Sequence, residues 1–222
     1  MNKKIYCIRH GEVKYPLDRE GRKLVYSPET PLSLLGRLQT KKIADRLKED
    51  GVTIEVLFVS PFARTRESAE ILKKSLQTPK VFIVDDLHDV YPNSWIGCPI
   101  EEYKTVEGDI YNNPQPQEQE TLEHLLMRAK RGIEYIAKTG NFNSIGIVSH
   151  GDLLSGIDWV LRTPDILPSY IEMKNRFYLQ KGQVAVYTID PSLRLVDEVR
   201  LITVPEVQQS VEVYRGEFGL QA

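Results

Sequence analysis

The stretch Ile5-Tyr6-Cys7-Ile8-Arg9-His10-Gly11-Glu12 decides how the rest of the chain is read. Its first four residues form a short, apolar and β-prone run, which predicts a buried strand whose carboxyl end delivers Arg9, His10 and Gly11. A second apolar run, Ser144 to Ser149, ends the same way in His150-Gly151. Between and around them the pattern alternates. Leu35, Leu38, Ile43 and Leu47 stand at helical spacing in a helix opening at Leu32 and running to about Asp50, and Val52 to Val59 is a β-branched strand. Ser60-Pro61 follows that strand at once, and a Ser N-cap with Pro at the first helical position predicts a helix carrying Arg64, Thr65, Glu67 and Ser68 in its first turns.

Lys80 to Val84 predicts a third strand, followed by Asp85-Asp86-Leu87-His88-Asp89. Lys14 to Pro31 reads as a polar loop, and residues 91–119, punctuated by Gly97, Pro99, Pro114 and Pro116, read as a lid or loop. Glu120 to Lys138 is an amphipathic helix stopped by Gly140, and Asp152 to Leu161 a shorter one. Phe177 to Leu179, Val184 to Ile189 and Leu193 to Leu201 read as late strands, and 204–222 as a tail of undetermined structure. Strands alternating with helices predict an α/β fold, a three-layer α/β/α sandwich with a mostly parallel central sheet, in one domain over 1–222. Ligands of such sheets gather at strand carboxyl ends. Arg9-His10-Gly11, Ser60 to Arg64, Asp85 to Asp89 and His150-Gly151 all follow strands, so four polar clusters converge on one crevice.

The 222 residues carry 29 basic and 31 acidic side chains, a formal charge of −2 that gives no global attraction to nucleic acid or an anionic membrane. Any anion site must be local. Cys7 and Cys98 are too few for a disulfide framework, and no apolar run approaches the ~20 residues of a membrane span. The four apolar residues before Arg9 are too short for the core of a signal peptide, so a cytoplasmic location is expected.

The crevice residues suit a phosphomonoester, whose nearly two negative charges need donors held in place before it arrives. Arg9 and Arg64 offer planar, permanently charged guanidinium groups, and a protonated His150 would add a third charge. Arg64 near a helix N-terminus gains from the free amides there. A neutral His10 can attack phosphorus and divide hydrolysis into two easier steps. Gly11 removes a side chain where substrate approaches. The leaving alkoxide needs an acid, for which Asp89 stands ahead of Asp86 and Glu12.

Arg9-His10-Gly11-Glu12, Pro31-Leu32-Ser33 with Gly36, Ser60-Pro61 with Arg64, and Val148-Ser149-His150-Gly151 together resemble the histidine phosphatase superfamily, also called phosphoglycerate mutase-like. The resemblance covers residues 5 to about 165. It implies an α/β/α sandwich, a phosphohistidine intermediate, no metal and no cofactor. By position it implies His10 as nucleophile, Arg9, Arg64 and His150 as phosphate ligands beside Gly11 and Gly151, and Asp89 as the acid. The chain departs from the family pattern at Asp89, usually Glu, at Val13, usually Thr or Ser, and at Pro16, where a phosphate-binding Asn is frequent. The long insertion and basic motifs of glycolytic mutases are not visible between Asp89 and Glu120, which favours a phosphatase of a small phosphorylated substrate. A phosphomutase and a non-catalytic phosphate-binding module are the alternatives. The oligomeric state is not legible.

Several residues have a plainer reading. Arg64 could pair with Glu67 one turn on, and Asp89 could be a loop carboxylate. Lys14, Arg19, Arg22 and Lys23 could rim the crevice or form a solvated loop, and Tyr15, Tyr26, Tyr91 and Trp95 could stack on substrate or merely pack loops. Other chemistries fail on spacing. A cysteine phosphatase needs Arg six positions after its Cys, yet Cys7 leads to Val13 and Cys98 to Lys104. GxxxxGK[ST], GxGxxG and HExxH are absent, and His88-Asp89 lacks the further ligands and all-helical frame of HD phosphohydrolases.

Overall fold

A computed structural model describes residues 1–106, 111, 120–163, 166–181 and 183–204. Its centre is a six-stranded sheet in the order β3-β2-β4-β1-β5-β6, formed by β1 (Lys3–Arg9), β2 (Val56–Val59), β3 (Lys80–Ile83), β4 (Ser144–Ser149), β5 (Val184–Ile189) and β6 (Arg200–Ile202). The pairs β1–β4, β4–β2 and β2–β3 are parallel, and β5 joins β1 and β6 antiparallel. Side chains alternate across β1. Ile5 and Cys7 face one core with Phe58, Ile147 and Tyr187, while Tyr6 and Ile8 face another with Leu57, Val59 and Val148.

Helices cover both faces, which buries the apolar runs of the parallel strands and gives three layers. Helices α1 (Leu34–Glu49) and α2 (Ala63–Leu76) supply Ile43, Leu47 and Leu72 to the second core. The first core takes Leu125, Ile133, Leu153 and Ile157 from α4 (Leu122–Lys138) and α5 (Gly151–Arg162). Two seven-residue helices are also present, α3 (Ile100–Val106) and α6 (Tyr170–Arg176). Among the described residues no helix is long and apolar enough to cross a membrane.

Caps explain several boundaries. Ser33 Oγ accepts the Gly36 amide 3.0 Å away to open α1, and Thr121 Oγ1 accepts the His124 amide to open α4. Ser60, however, does not cap α2. That helix begins after Phe62 without a side-chain cap, and the Ser60 hydroxyl is used elsewhere. The expected strand at Phe177 to Leu179 is extended chain with no strand partner, and of Leu193 to Leu201 only β6 and an isolated bridge from Leu195 to Ile189 pair with the sheet. The expected lid contains α3 and a short 3-10 turn, Asn93–Trp95, while 107–110 and 112–119, with Pro114 and Pro116, lie outside the described residues, as does the tail beyond 204.

Candidate active site

The sheet order places the carboxyl ends of β3, β2, β4 and β1 side by side, and the residues that follow them meet. β1 and β4 are paired through Arg9 and Ser149, so His10 and His150 each stand one residue beyond the last rung. Their rings are 5.1 Å apart between centroids and edge-to-face. His10 and His150 are 1% and 0% exposed. Arg64, only 2% exposed, projects from the first turn of α2, and Asp89 follows the 3-10 turn Asp85–Leu87.

His10 Nδ1 lies 2.7 Å from the Gly11 carbonyl oxygen. A carbonyl only accepts, so Nδ1 carries the ring proton and Nε2 keeps its lone pair. Burial, followed by the Arg64 and Arg9 charges, holds the His10 pKa well below the ordinary imidazole range. The ring is therefore neutral near pH 7, as an attacking nitrogen must be.

His150 is held the same way, by burial first and then Arg64 and His10, so it too is neutral and adds no third charge. Its Nε2 is 2.7 Å from Ser60 Oγ, a buried contact that explains why this serine is not a helix cap. Asp89 Oδ2, an acceptor 3.3 Å from Nδ1, favours the ring proton on that side, which leaves Nε2 to accept the Ser60 hydroxyl. The ring's own proton then sits on Nδ1. That atom is buried without a hydrogen-bond partner. Asp89 Oδ2 lies 3.3 Å away but outside bonding geometry.

Two guanidinium groups complete the set. Arg9 donates from Nη1 to the Leu179 carbonyl, 2.8 Å, and its Cζ lies over the Tyr178 ring at 4.8 Å. Arg64 donates to the Ser27 carbonyl and to Asp89 Oδ2, at 3.3 and 3.1 Å, between the rings of Tyr26 and Phe62. Glu67 pairs with Arg37 instead, so the surface pairing open to Arg64 is not made. The Nε atoms of Arg9 and Arg64 are buried with no hydrogen-bond partner, two further donors held for an acceptor.

A cavity of about 510 Å³ lies against this arrangement, lined by Arg9, Arg64, Asp89 and Gly151 among others, with His10 and His150 buried behind that lining. Gly11 does not line it. A Cβ there would stand 2.1 Å from the Gly36 carbonyl oxygen, so glycine is required by the close approach of the loop after β1 to α1, not by an approaching substrate. Gly151 does border the site, since a Cβ there would press on the Tyr178 hydroxyl at 2.6 Å and Arg9 Cζ at 2.9 Å. Tyr15, Tyr26 and Tyr91 line the cavity, while Trp95 packs against Tyr103. Lys14, Arg19, Arg22 and Lys23 are exposed, Arg22 is tied to Asp18, and Lys23 lies over the Tyr15 ring. Phe62, Tyr178 and Lys181 belong to the lining too, and nothing in their sequence context announces it. Among the described residues no three His, Cys, Asp or Glu side chains are grouped to hold a metal ion.

Comparison with known proteins gives the family. A Bacillus subtilis protein named uncharacterized phosphatase PhoE is 28% identical over 148 residues, 66% of this chain and 71% of that one. The metal-independent phosphoserine phosphatase of Arabidopsis thaliana is 27% identical over 161 residues, 69% of this chain and 66% of that one. The structure of YhfR from Bacillus stearothermophilus superposes with a TM-score of 0.73 at 20% identity, covering 92% of this chain and 99% of its own. The family model of the histidine phosphatase superfamily, branch 1, matches residues 5–176, and the chain belongs to that superfamily.

Proposed function

We propose that the protein is a metal-independent phosphatase that hydrolyses a small phosphomonoester through a phosphohistidine on His10. The observation that carries this reading is a neutral imidazole whose Nδ1 proton is fixed on the Gly11 carbonyl, beside two buried guanidinium groups with unpartnered Nε donors. The relatives named phosphatases support it.

In the first step the His10 Nε2 lone pair forms a bond to phosphorus as the ester P–O bond breaks. The leaving oxygen takes a proton from Asp89, the carboxyl group that reaches the cavity beside Arg64 and His150. Arg9, Arg64 and the Nδ1–H of His150 hold the phosphoryl oxygens and oppose the charge that builds there. In the second step the Asp89 carboxylate takes a proton from water, hydroxide oxygen bonds to phosphorus, the N–P bond breaks, and phosphate leaves with His10 restored.

Release of inorganic phosphate from an aryl phosphate in the presence of EDTA tests the reading. Turnover should survive chelation and fall to background in His10→Ala, whose alkali-quenched digests should lack the acid-labile, alkali-stable N-linked phosphate found in the parent. Activity that vanishes with EDTA, or persists without His10, would overturn it. Transfer between positions of a phosphoglycerate without phosphate release would mark a mutase instead.

A further inference from the structure

The cavity beside Arg9 and Arg64 holds a third cation, Lys181. Lys181 lies in the turn that links Leu179, whose carbonyl holds Arg9, to β5. Its side chain is 19% exposed, unusual for a lysine, and its Nζ donates to Tyr15 Oη at 2.6 Å while sitting 4.9 Å from the centre of that ring. Among the described residues the nearest carboxylate, Glu12, is 3.8 Å from Lys181 and 4.0 Å from Lys23, beyond hydrogen-bonding distance of both. One negative charge thus stands between two positive ones. Tyr15 is the single hydrogen-bond acceptor of Lys181 among the described residues, although an ammonium has three donors.

The path from this ammonium to the phosphoryl pocket is aromatic. Tyr15 packs edge-on against Tyr26 with centroids 5.4 Å apart, and Tyr26 lies 5.0 Å from Arg64 Cζ. All four side chains line the same cavity. A ligand that fills it meets two guanidinium groups, two tyrosine rings and an ammonium with one of its three donors used.

We infer that Lys181 is a specificity-determining residue that receives a second anionic group of the substrate, a phosphomonoester whose apolar or aromatic body lies along Tyr15 and Tyr26 and carries a carboxylate at its far end. The inference rests on the phosphatase reading for its catalytic measure but not for its binding measure. Burial, more than the opposing charges of Arg9, Lys23 and Arg64, lowers the Lys181 pKa to about 8 in spite of Glu12. The subsite should therefore weaken as pH rises through that value, with Tyr15, pushed above it chiefly by burial, remaining a phenol.

The test compares 4-carboxyphenyl phosphate with 4-methylphenyl phosphate, which differ at the far end alone. The parent protein should show kcat/KM at least tenfold higher for the carboxylate, through KM, and Lys181→Met should bring the ratio of the two near one. Equal values in the parent, or a Lys181→Met variant that keeps the ratio, would overturn the inference. Calorimetry of both compounds with His10→Ala separates it from the reading beneath. A tenfold tighter binding of the carboxylate, lost in His10→Ala/Lys181→Met, supports the subsite even if neither compound is turned over. Equal binding refutes it whatever the turnover.

Discussion

At the scale of single residues, the site depends on donors fixed before substrate arrives, and two substitutions separate their contributions. Arg64→Ala removes a guanidinium that is buried, held by Ser27 and Asp89, and aimed by neighbouring rings. It should raise the barrier by about 3 kcal/mol, on the order of a hundredfold in kcat/KM for any phosphomonoester. Ser60→Ala leaves His150 Nε2 buried without its partner, at a cost of roughly 1–3 kcal/mol in stability measured by urea unfolding. It should also depress kcat more than KM, because a ring free to change tautomer no longer keeps its Nδ1 proton toward the phosphoryl oxygens. The placement of His10, Arg9, Arg64 and His150 together was legible because each follows an apolar run whose strand character is plain. Lys181 and Tyr178 were not legible. They reach the cavity from either side of Leu179, whose carbonyl accepts from Arg9, a contact remote in sequence.

Between elements, the tightest constraint is backbone against backbone. A Cβ at Gly36 would stand 1.9 Å from the Glu12 carbonyl oxygen, and one at Gly11 would meet Gly36 in return. Gly36→Ala must therefore push α1 away from the loop that carries His10. It should cost at least 1–3 kcal/mol by thermal or urea unfolding and lower turnover more than a surface Gly→Ala such as Gly21→Ala, whose added Cβ meets nothing but whose φ of +80° strains it locally. Competition for side chains explains the elements that sequence misplaced. Ser60-Pro61 resembles a helix start, yet His150 takes the hydroxyl and α2 begins later, after Phe62. Phe177 to Leu179 is extended as its composition suggests, but its carbonyl serves a guanidinium and not a strand. The helix α6 was missed although its signal was present, since Ser169 and Glu172 form a reciprocal capping box.

Over the whole molecule, two neutral imidazoles sealed at the carboxyl ends of the central strands make stability depend on pH. Both His10 and His150 have folded-state pKa values well below the ~6.5 of an unfolded chain. Above that value both states are neutral and the rings have no effect. As pH falls below it the unfolded chain binds protons that the folded one refuses, so stability declines by up to about 1.4 kcal/mol per pH unit for each ring. Thermal unfolding from pH 7.5 to 5 should show Tm falling below about 6.5, and His10→Gln should make the fall shallower. A flat profile would show that these rings protonate in the folded protein. The layered α/β architecture was legible because strand and helix periods alternate so cleanly, whereas the antiparallel placement of β5 and β6 depends on contacts remote in sequence.

The last rung between β1 and β4 lies directly beneath both imidazoles, so the reacting centre inherits its dimensions from the pairing of two central strands. Much of the remaining lining, Tyr15, Tyr26 and Lys181 among it, comes from turns and loops outside the strands of the sheet. Variation can consequently re-tailor what the crevice accepts, one loop residue at a time, while the bond-breaking apparatus keeps its dimensions. Selection for a new ester and preservation of the old reaction need not compete for the same positions.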